Sequence, residues 1–250
     1  MLDITGNNEY PINREKIGCH ACRSALCFPD NLTEEELAKF DGLNITKKHM
    51  ERGDVLYRAN EKLTKIYVVR TGSYKASISD SKGIEQIVDY FLPGDIIGLD
   101  TLSDVLPLSR VTALETSSVC EISEAGFSKI HRTHPAMRSA FMKTIGHKIK
   151  QEQQKMMLIA QMNSEARLAS FLINLGSRFH ERGFSATEFN LSMQRHEIAN
   201  YIGLAPASLS RALTDIQRKG YVKANRNNIK ILDFDGLSKL SCLPRCTRNH

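Results

Sequence analysis

QRHEIANYIGLAPASLSRALTDIQRKG, residues 194–220, holds two helical segments separated by a break at a glycine. A helix-turn-helix needs a small residue where its helices cross, a glycine in the tight turn and apolar residues that fix the interhelical angle. Ile198 and Ile202 face the core, Ala199 is the small crossing residue, and Gly203 stands four residues later at the turn. Leu204, Leu209 and Ala212 complete the inner face. Pro206 presets the start of the second helix, with Ala205 before it as a poor cap. Ala207, Ser208, Ser210 and Arg211 then point outward, where they can reach a major groove. Arg211 suits base reading because a guanidinium bonds both acceptors of a guanine edge. Ser210 suits a phosphate or thymine, and Gln194, Arg195, Arg218 and Lys219 suit backbone phosphates.

Around this unit, SEARLASFLINLGSRFHERG (164–183) reads as a helix, EFNLS (188–192) as a short strand and ANRNNIKIL (224–232) as an extended pair about an Asn-rich turn. This is the outline of a winged helix-turn-helix, expected over 164–240, with 241–250 as a tail. The charge agrees. Residues 1–163 carry 21 Lys and Arg against 21 Asp and Glu, while 164–250 carry 13 against 7, so the net +6 sits in the last third. A basic module of this kind points to a polyanion, double-stranded DNA.

Upstream, residues 135–163 switch to a helical period longer than most helices of compact domains. Met142, Ile145, Ile149, Glu152, Met156 and Ile159 fall at alternating steps of three and four, the a and d positions of a coiled coil, with Glu152 as the polar exception. The stripe fits a homodimer interface or packing on the chain's own β-domain, and the two are compatible along different stretches.

Before that helix, DVLYRAN, IYVVRTGSYKASIS, EQIVDYF, DIIGLD, RVTALET and SVCEIS are short β-branched and aromatic runs. Turn glycines at 53, 72, 83, 94 and 98 punctuate them. Regular short strands of this kind predict a β-barrel or jelly roll over 31–134. Thr33 and Glu36 fit a capping box at the start of that span, opening a short helix. The expected architecture is α+β: an N-terminal β-barrel or jelly-roll sensor domain, a long dimerisation helix and a C-terminal winged helix-turn-helix.

Residues 1–30 form an arm with Cys19, Cys22 and Cys27. The first residues lack a basic start and apolar h-region, and no run reaches membrane-spanning length, so a cytoplasmic protein without a membrane partner is expected. In a reducing compartment six cysteines favour metal or redox chemistry over structural disulfides. Zinc and iron-sulfur sites both require a fourth ligand beyond the arm, from Cys120, Cys242 or Cys246, with His20 a further candidate. A thiol-based redox sensor without a metal stays open on spacing alone. No catalytic constellation accompanies the thiols, so no enzyme is expected.

The cysteine arm, LPGDIIGLD (92–100), ALETSSVCEIS (113–123), the long helix and ERGFSATEFNLSMQRHEIANYIGL (181–204) resemble the FNR-type oxygen-responsive regulators of the CRP/FNR superfamily over nearly the whole chain. The resemblance implies an oxygen-labile [4Fe-4S] cluster on Cys19, Cys22, Cys27 and Cys120. It also implies a homodimer on a near-palindromic operator, and an RNA polymerase contact through barrel loops around Asp80 to Gly83. A carboxylate at the place of Glu152 keeps the oxidised family members monomeric. Three departures stand out. Four residues separate Cys22 from Cys27 where the family has five, which bears on cluster lifetime. Ala207 replaces the glutamate of the family's E-x-x-S-R helix, although Ser210 and Arg211 remain. The cyclic-nucleotide branch grips phosphate with a G-E turn and an R-S pair. Here the turn is Gly94-Asp95, Pro107-Leu108 stands at the pair, and Ser109-Arg110 lies two residues beyond with reversed strand alternation. No cyclic nucleotide is therefore expected, and a cyclic-nucleotide-responsive CRP-like regulator is the alternative.

Overall fold

The structure is a computed structural model and describes residues 14–16, 45–100, 106–133 and 135–241. The expected capping box at Thr33 and Glu36 lies outside the described residues, as do Cys19, His20, Cys22, Cys27, Cys242 and Cys246. The chain divides into two compact units, residues 1–76 with 90–139 and residues 77–89 with 140–250.

The first unit is built on β1 (Arg14–Lys16), β2 (Thr46–Met50), β3 (Val55–Tyr57), β4 (Lys65–Thr71), β5 (Tyr74–Ser79), β6 (Glu85–Phe91), β7 (Ile96–Ile97), β8 (Arg110–Ala113) and β9 (Ser117–Ser123). The ends of β5 and β6 carry the chain through the hairpin 77–89 of the second unit. Two sheets form, in the orders β1-β2-β9-β4-β7 and β3-β8-β5-β6. Of the expected β-barrel or jelly roll, the arrangement is the jelly roll, two sheets that do not close into a barrel. The physical cause is visible at the corners. The chain leaves one sheet for the other between β2 and β3 at Gly53 (φ 91°) and between β4 and β5 at Gly72 (φ 74°). At Gly72 a Cβ would lie 2.4 Å from the Ser117 Cβ, so the crossing admits only glycine.

Val69, Tyr74, Ile97, Val111 and Val119 fill the interior with no exposed surface. The β9 residue Glu121 is buried yet satisfied, accepting from Lys65 Nζ at 2.6 Å and Thr46 Oγ1 at 3.1 Å. After β9, α1 (Glu124–Thr133) begins under a Ser123 hydroxyl that accepts from Gly126 N–H at 3.1 Å. Then α2 (Pro135–Gln161) runs for 27 residues. The sequence reading carried this helix to residue 163, but Asn163 caps the next helix, its Oδ1 accepting from Ala166 N–H at 2.9 Å.

The second unit adds α3 (Ser164–His180), β10 (Glu188–Asn190), α4 (Arg195–Tyr201), α5 (Pro206–Arg218), β11 (Val222–Asn225), β12 (Asn228–Ile231) and α6 (Phe234–Ser241). The wing is a three-stranded antiparallel sheet in the order β10-β12-β11. Its two-residue turn places Arg226 at φ 49°. Helix α6 was not expected from sequence, since eight residues hold too few turns to show a period. It docks through fully buried Leu237, and Ser170 Oγ donates to Ser241 O at 2.9 Å.

Among the described residues the hydroxyls of Tyr74 and Ser117 are buried without hydrogen-bond partners. Burial pushes the Tyr74 phenol up from 10.0 to about 12, more than the neighbouring Ser117 hydroxyl pulls it down. The native state therefore holds this proton more tightly than the unfolded chain. Its stabilisation is complete below pH 10 and is lost as pH rises towards 12, by about 2 kcal/mol. Tyr74→Phe should remove this part of the alkaline slope in urea unfolding between pH 9 and 11, while matching or exceeding the parent's stability at pH 7. An unchanged slope would show that the phenol does not carry it.

Candidate nucleic-acid interface

Helix α4 starts at Gln194, whose N–H donates to Glu197 Oε2 at 2.8 Å. That bond satisfies a buried carboxylate and an orphan donor together. Ile198, Ala199 and Ile202 are buried under α5, as are Leu209, Ala212 and Ile216 from the other side, while Leu204 is half-buried. The turn is closed by Gly203 at φ 66°, its N–H donating to Asn200 O at 3.1 Å, and by Leu204 N–H donating to Ala199 O at 2.8 Å. Helix α5 begins with Pro206 after Ala205, which supplies no side-chain cap.

The outer face of α5 presents Ala207, Ser210 and Arg211 exposed and Ser208 half-buried. Ser210 Oγ folds back to donate to Pro206 O at 3.0 Å, and Arg211 Nε lies 3.4 Å from Ala207 O. At the helix end Arg218 pairs with Asp215 at 2.9 Å. Lys219 pairs with Glu165, whose hydrogen bond pushes the lysine above its ordinary range. Such exposed pairs are weak, so both cations can exchange a carboxylate for a phosphate at small cost. Gln194 is exposed. Arg195 is half-buried and donates from Nη2 to Arg226 O at 2.9 Å, tying the start of α4 to the wing turn. Partial burial pushes its guanidinium below the usual value.

The coiled-coil stripe stays on the surface of the chain. Met142, Ile149, Met156 and Ile159 are 57%, 55%, 68% and 41% exposed, Ile145 is half-buried, and Glu152 forms an i,i+4 pair with Lys148 at 3.3 Å.

Cys120 is half-buried in β9 and stands opposite Lys47 of β2 and Val68 of β4. Lys47 stands in turn opposite Glu15 of β1. Among the described residues no three His, Cys, Asp or Glu side chains are grouped for a metal. At the nucleotide-branch positions, Asp95 Oδ2 accepts from Leu92 N–H at 2.7 Å and so stabilises its own turn. Pro107 and Ser109 are buried, while Leu108 and Arg110 are exposed.

Two residues the sequence reading passed over hold this region together. Arg167 of α3 donates to Ile159 O at 2.7 Å, Met162 O at 2.9 Å and Gly203 O at 2.8 Å. Asn200 of α4 bonds the β6 backbone through its side-chain amide. Neither leaves a short-range sequence signal, because every partner lies outside the residue's own helix.

A two-helix DNA-reading unit with a wing, a long helix with an exposed apolar seam and a jelly roll together define a winged helix-turn-helix regulator. The model of the Crp-like helix-turn-helix domain matches residues 166–240, and that of the cyclic nucleotide-binding domain matches residues 47–134. The anaerobic regulatory protein of Haemophilus influenzae is 37% identical over 226 residues, covering 90% of this chain and 88% of its own length. The fumarate and nitrate reduction regulatory protein of Escherichia coli K12 is 36% identical, covering 90% of each chain. Among solved structures, FixK2 from Bradyrhizobium japonicum superposes with a TM-score of 0.72 at 22% identity, covering 80% of this chain and 98% of that one. The chain belongs to the CRP/FNR family of transcription regulators, among its FNR-like anaerobic regulators. Regulators of this family bind DNA as dimers and are not enzymes. No helix among the described residues is long and apolar enough to cross a membrane.

The uncapped start of α5 is a correctable weakness. Ala205→Ser should raise stability by about 0.5–1 kcal/mol, seen as a higher melting midpoint. A midpoint that does not move would mean that the first N–H groups of α5 are already satisfied.

Proposed function

We propose that this protein is an oxygen-sensing, DNA-binding transcription regulator controlled by an iron-sulfur cluster, which binds a near-palindromic operator as a homodimer under low oxygen. The relatives named as anaerobic regulators support the class. The observation that carries the cluster assignment is the cross-strand row Glu15, Lys47, Cys120. Neighbouring strands lie about 4.8 Å apart, so β1 is about two spacings from Cys120. Cys19 follows Lys16, the last residue of β1, by three positions.

The donor chemistry fits. Cys19, Cys22, Cys27 and Cys120 would hold a [4Fe-4S] cluster with one soft thiolate per iron, supplying an oxygen-labile tie between the arm and β9. Met142, Ile145, Ile149, Met156 and Ile159 then form the seam with a second copy. Two α5 helices enter successive major grooves, with Arg211 reading guanine, Ala207, Ser208 and Ser210 meeting base edges or phosphates, and Gln194, Arg195, Arg218 and Lys219 meeting phosphates. RNA polymerase is contacted by the exposed loop Asp80 to Gly83, which Asp80 Oδ1 stiffens by accepting from Lys82 and Ile84 N–H at 2.8 and 2.9 Å. The regulator works in the cytoplasm and without a cyclic nucleotide.

A second reading, control by a cyclic nucleotide, is favoured by the domain match over 47–134. Pro107 and Leu108 offer no phosphate grip, and a cyclic AMP titration separates the two readings. Iron and sulfide analysis separates both from a cluster-free thiol sensor.

Cys120→Ser, purified without oxygen, should lose iron, sulfide and visible absorption, while Cys242→Ser keeps them. The reverse pattern would move the fourth ligand to the tail. Glu152 sits at a d position, so two copies would bring like charges face to face across the two-fold axis. At an effective dielectric near 20 and a separation of about 6 Å the repulsion is about 3 kcal/mol before screening and before Lys148 offsets it. Glu152→Ala should therefore dimerise in air at concentrations where the parent is monomeric. Sedimentation showing both as monomers would refute the charge opposition.

A further inference from the structure

The outer strand of the sheet β3-β8-β5-β6 is β6, so among the described residues one side of its backbone has no strand beside it. Exposed edges of this kind recruit partners, and proteins cover them. Along residues 85–89 the cover is made of side chains from helices. Asn200 Nδ2 donates to Glu85 O at 2.7 Å and Ile87 N–H donates to Asn200 Oδ1 at 2.5 Å. A carbonyl at one residue and an N–H two residues on are the pair that a single residue of a parallel strand would engage. The Asn200 amide thus stands in for one residue of a missing strand. Gln86 Nε2 adds a bond to Asn200 O at 2.6 Å.

Asn200 is also part of the helix-turn-helix turn, because its carbonyl accepts the Gly203 N–H at 3.1 Å. The other end of the same β6 stretch is held by α2. Lys155 Nζ donates to Val88 O at 2.5 Å while lying 4.1 Å from the centre of the Tyr201 ring, and Lys148 pairs with Asp89 and with Glu152. One short strand edge therefore ties the turn between the DNA-reading helices to the helix that carries the seam.

We propose that Asn200 is a positioning residue for DNA recognition: its amide, paired with the edge of β6, sets where the turn before α5 stands relative to α2. This rests on the DNA-binding function proposed above. A properly placed α5 in each chain is needed for two half-sites to be read together. Loss of the pairing should cost sequence-specific binding and leave phosphate attraction and dimer formation intact.

The test uses the full chain prepared without oxygen, with parent, Asn200→Leu and Asn200→Asp measured beside Arg211→Ala. Leucine keeps the approximate volume and makes no hydrogen bond, whereas aspartate keeps the acceptor for Ile87 N–H and loses the donor to Glu85. For Asn200→Leu the Ile87 amide should exchange faster with deuterium and operator affinity should fall about tenfold. Affinity for a random duplex, the dimer constant and the melting midpoint should stay near the parent's. Asn200→Asp should fall between the two, and it carries the test alone if the leucine variant does not fold. Unchanged Ile87 exchange would overturn the pairing. Faster exchange with unchanged operator affinity would overturn the positioning role, as would an equal loss on operator and random DNA. An Arg211→Ala variant that retains full specificity would instead count against the DNA-reading assignment, independently of Asn200.

Discussion

A helix leaves its last carbonyls without intrahelical partners, and each must find one from a side chain, another element or water. Arg167 meets this requirement at the end of α2 and extends the same guanidinium to the Gly203 carbonyl. Its acceptors are carbonyls, so the bonds depend on geometry more than on a paired charge. Gly203 makes the approach possible. Its φ of 66° suits glycine, and a Cβ there would meet Arg167 Nη1 at 3.4 Å and Ile159 side-chain carbons at 3.7 Å. The placement of α3, the end of α2 and the helix-turn-helix turn all depend on this one side chain.

The same economy governs the charged groups. Lys148 serves both Asp89 and Glu152, and Lys155 combines a carbonyl with an aromatic face. Burial pushes the Lys155 ammonium below its ordinary range, with Glu152 and Asp89 opposing that effect. Within the chain, Glu152 is held to its own helix through Lys148. In the proposed dimer, a carboxylate neutralised locally in this way would oppose association across the axis without destabilising the single chain.

The apolar residues of the seam differ from those of the core in one respect that decides their role. Val69 and Val119 have no exposed surface, whereas Met156 is 68% exposed although it repeats with a helical period as regular as any core stripe. Periodicity identifies a face that avoids water, and only tertiary packing shows whether the chain itself covers that face.

What the sequence alone determined follows from local constraints. The register of Ile198, Ala199, Gly203 and Leu209 identified the helix-turn-helix, because crossing helices need a small residue and a turn needs glycine at fixed offsets. The wing was legible from its Asn-rich turn, and the jelly-roll strands from alternation and glycine spacing. The tertiary structure decided what depends on partners far along the chain. It settled the barrel-or-jelly-roll alternative as two sheets crossing at the glycine corners, placed Cys120 in a row with β1, and paired Lys219 with Glu165. It also brought Asn200 to a strand edge more than a hundred residues earlier. A hydrogen bond between residues 113 positions apart leaves no period or motif in one sequence, since the Asn200 side chain and the Ile87 N–H are each ordinary where they stand and acquire their role only when the fold brings the two together.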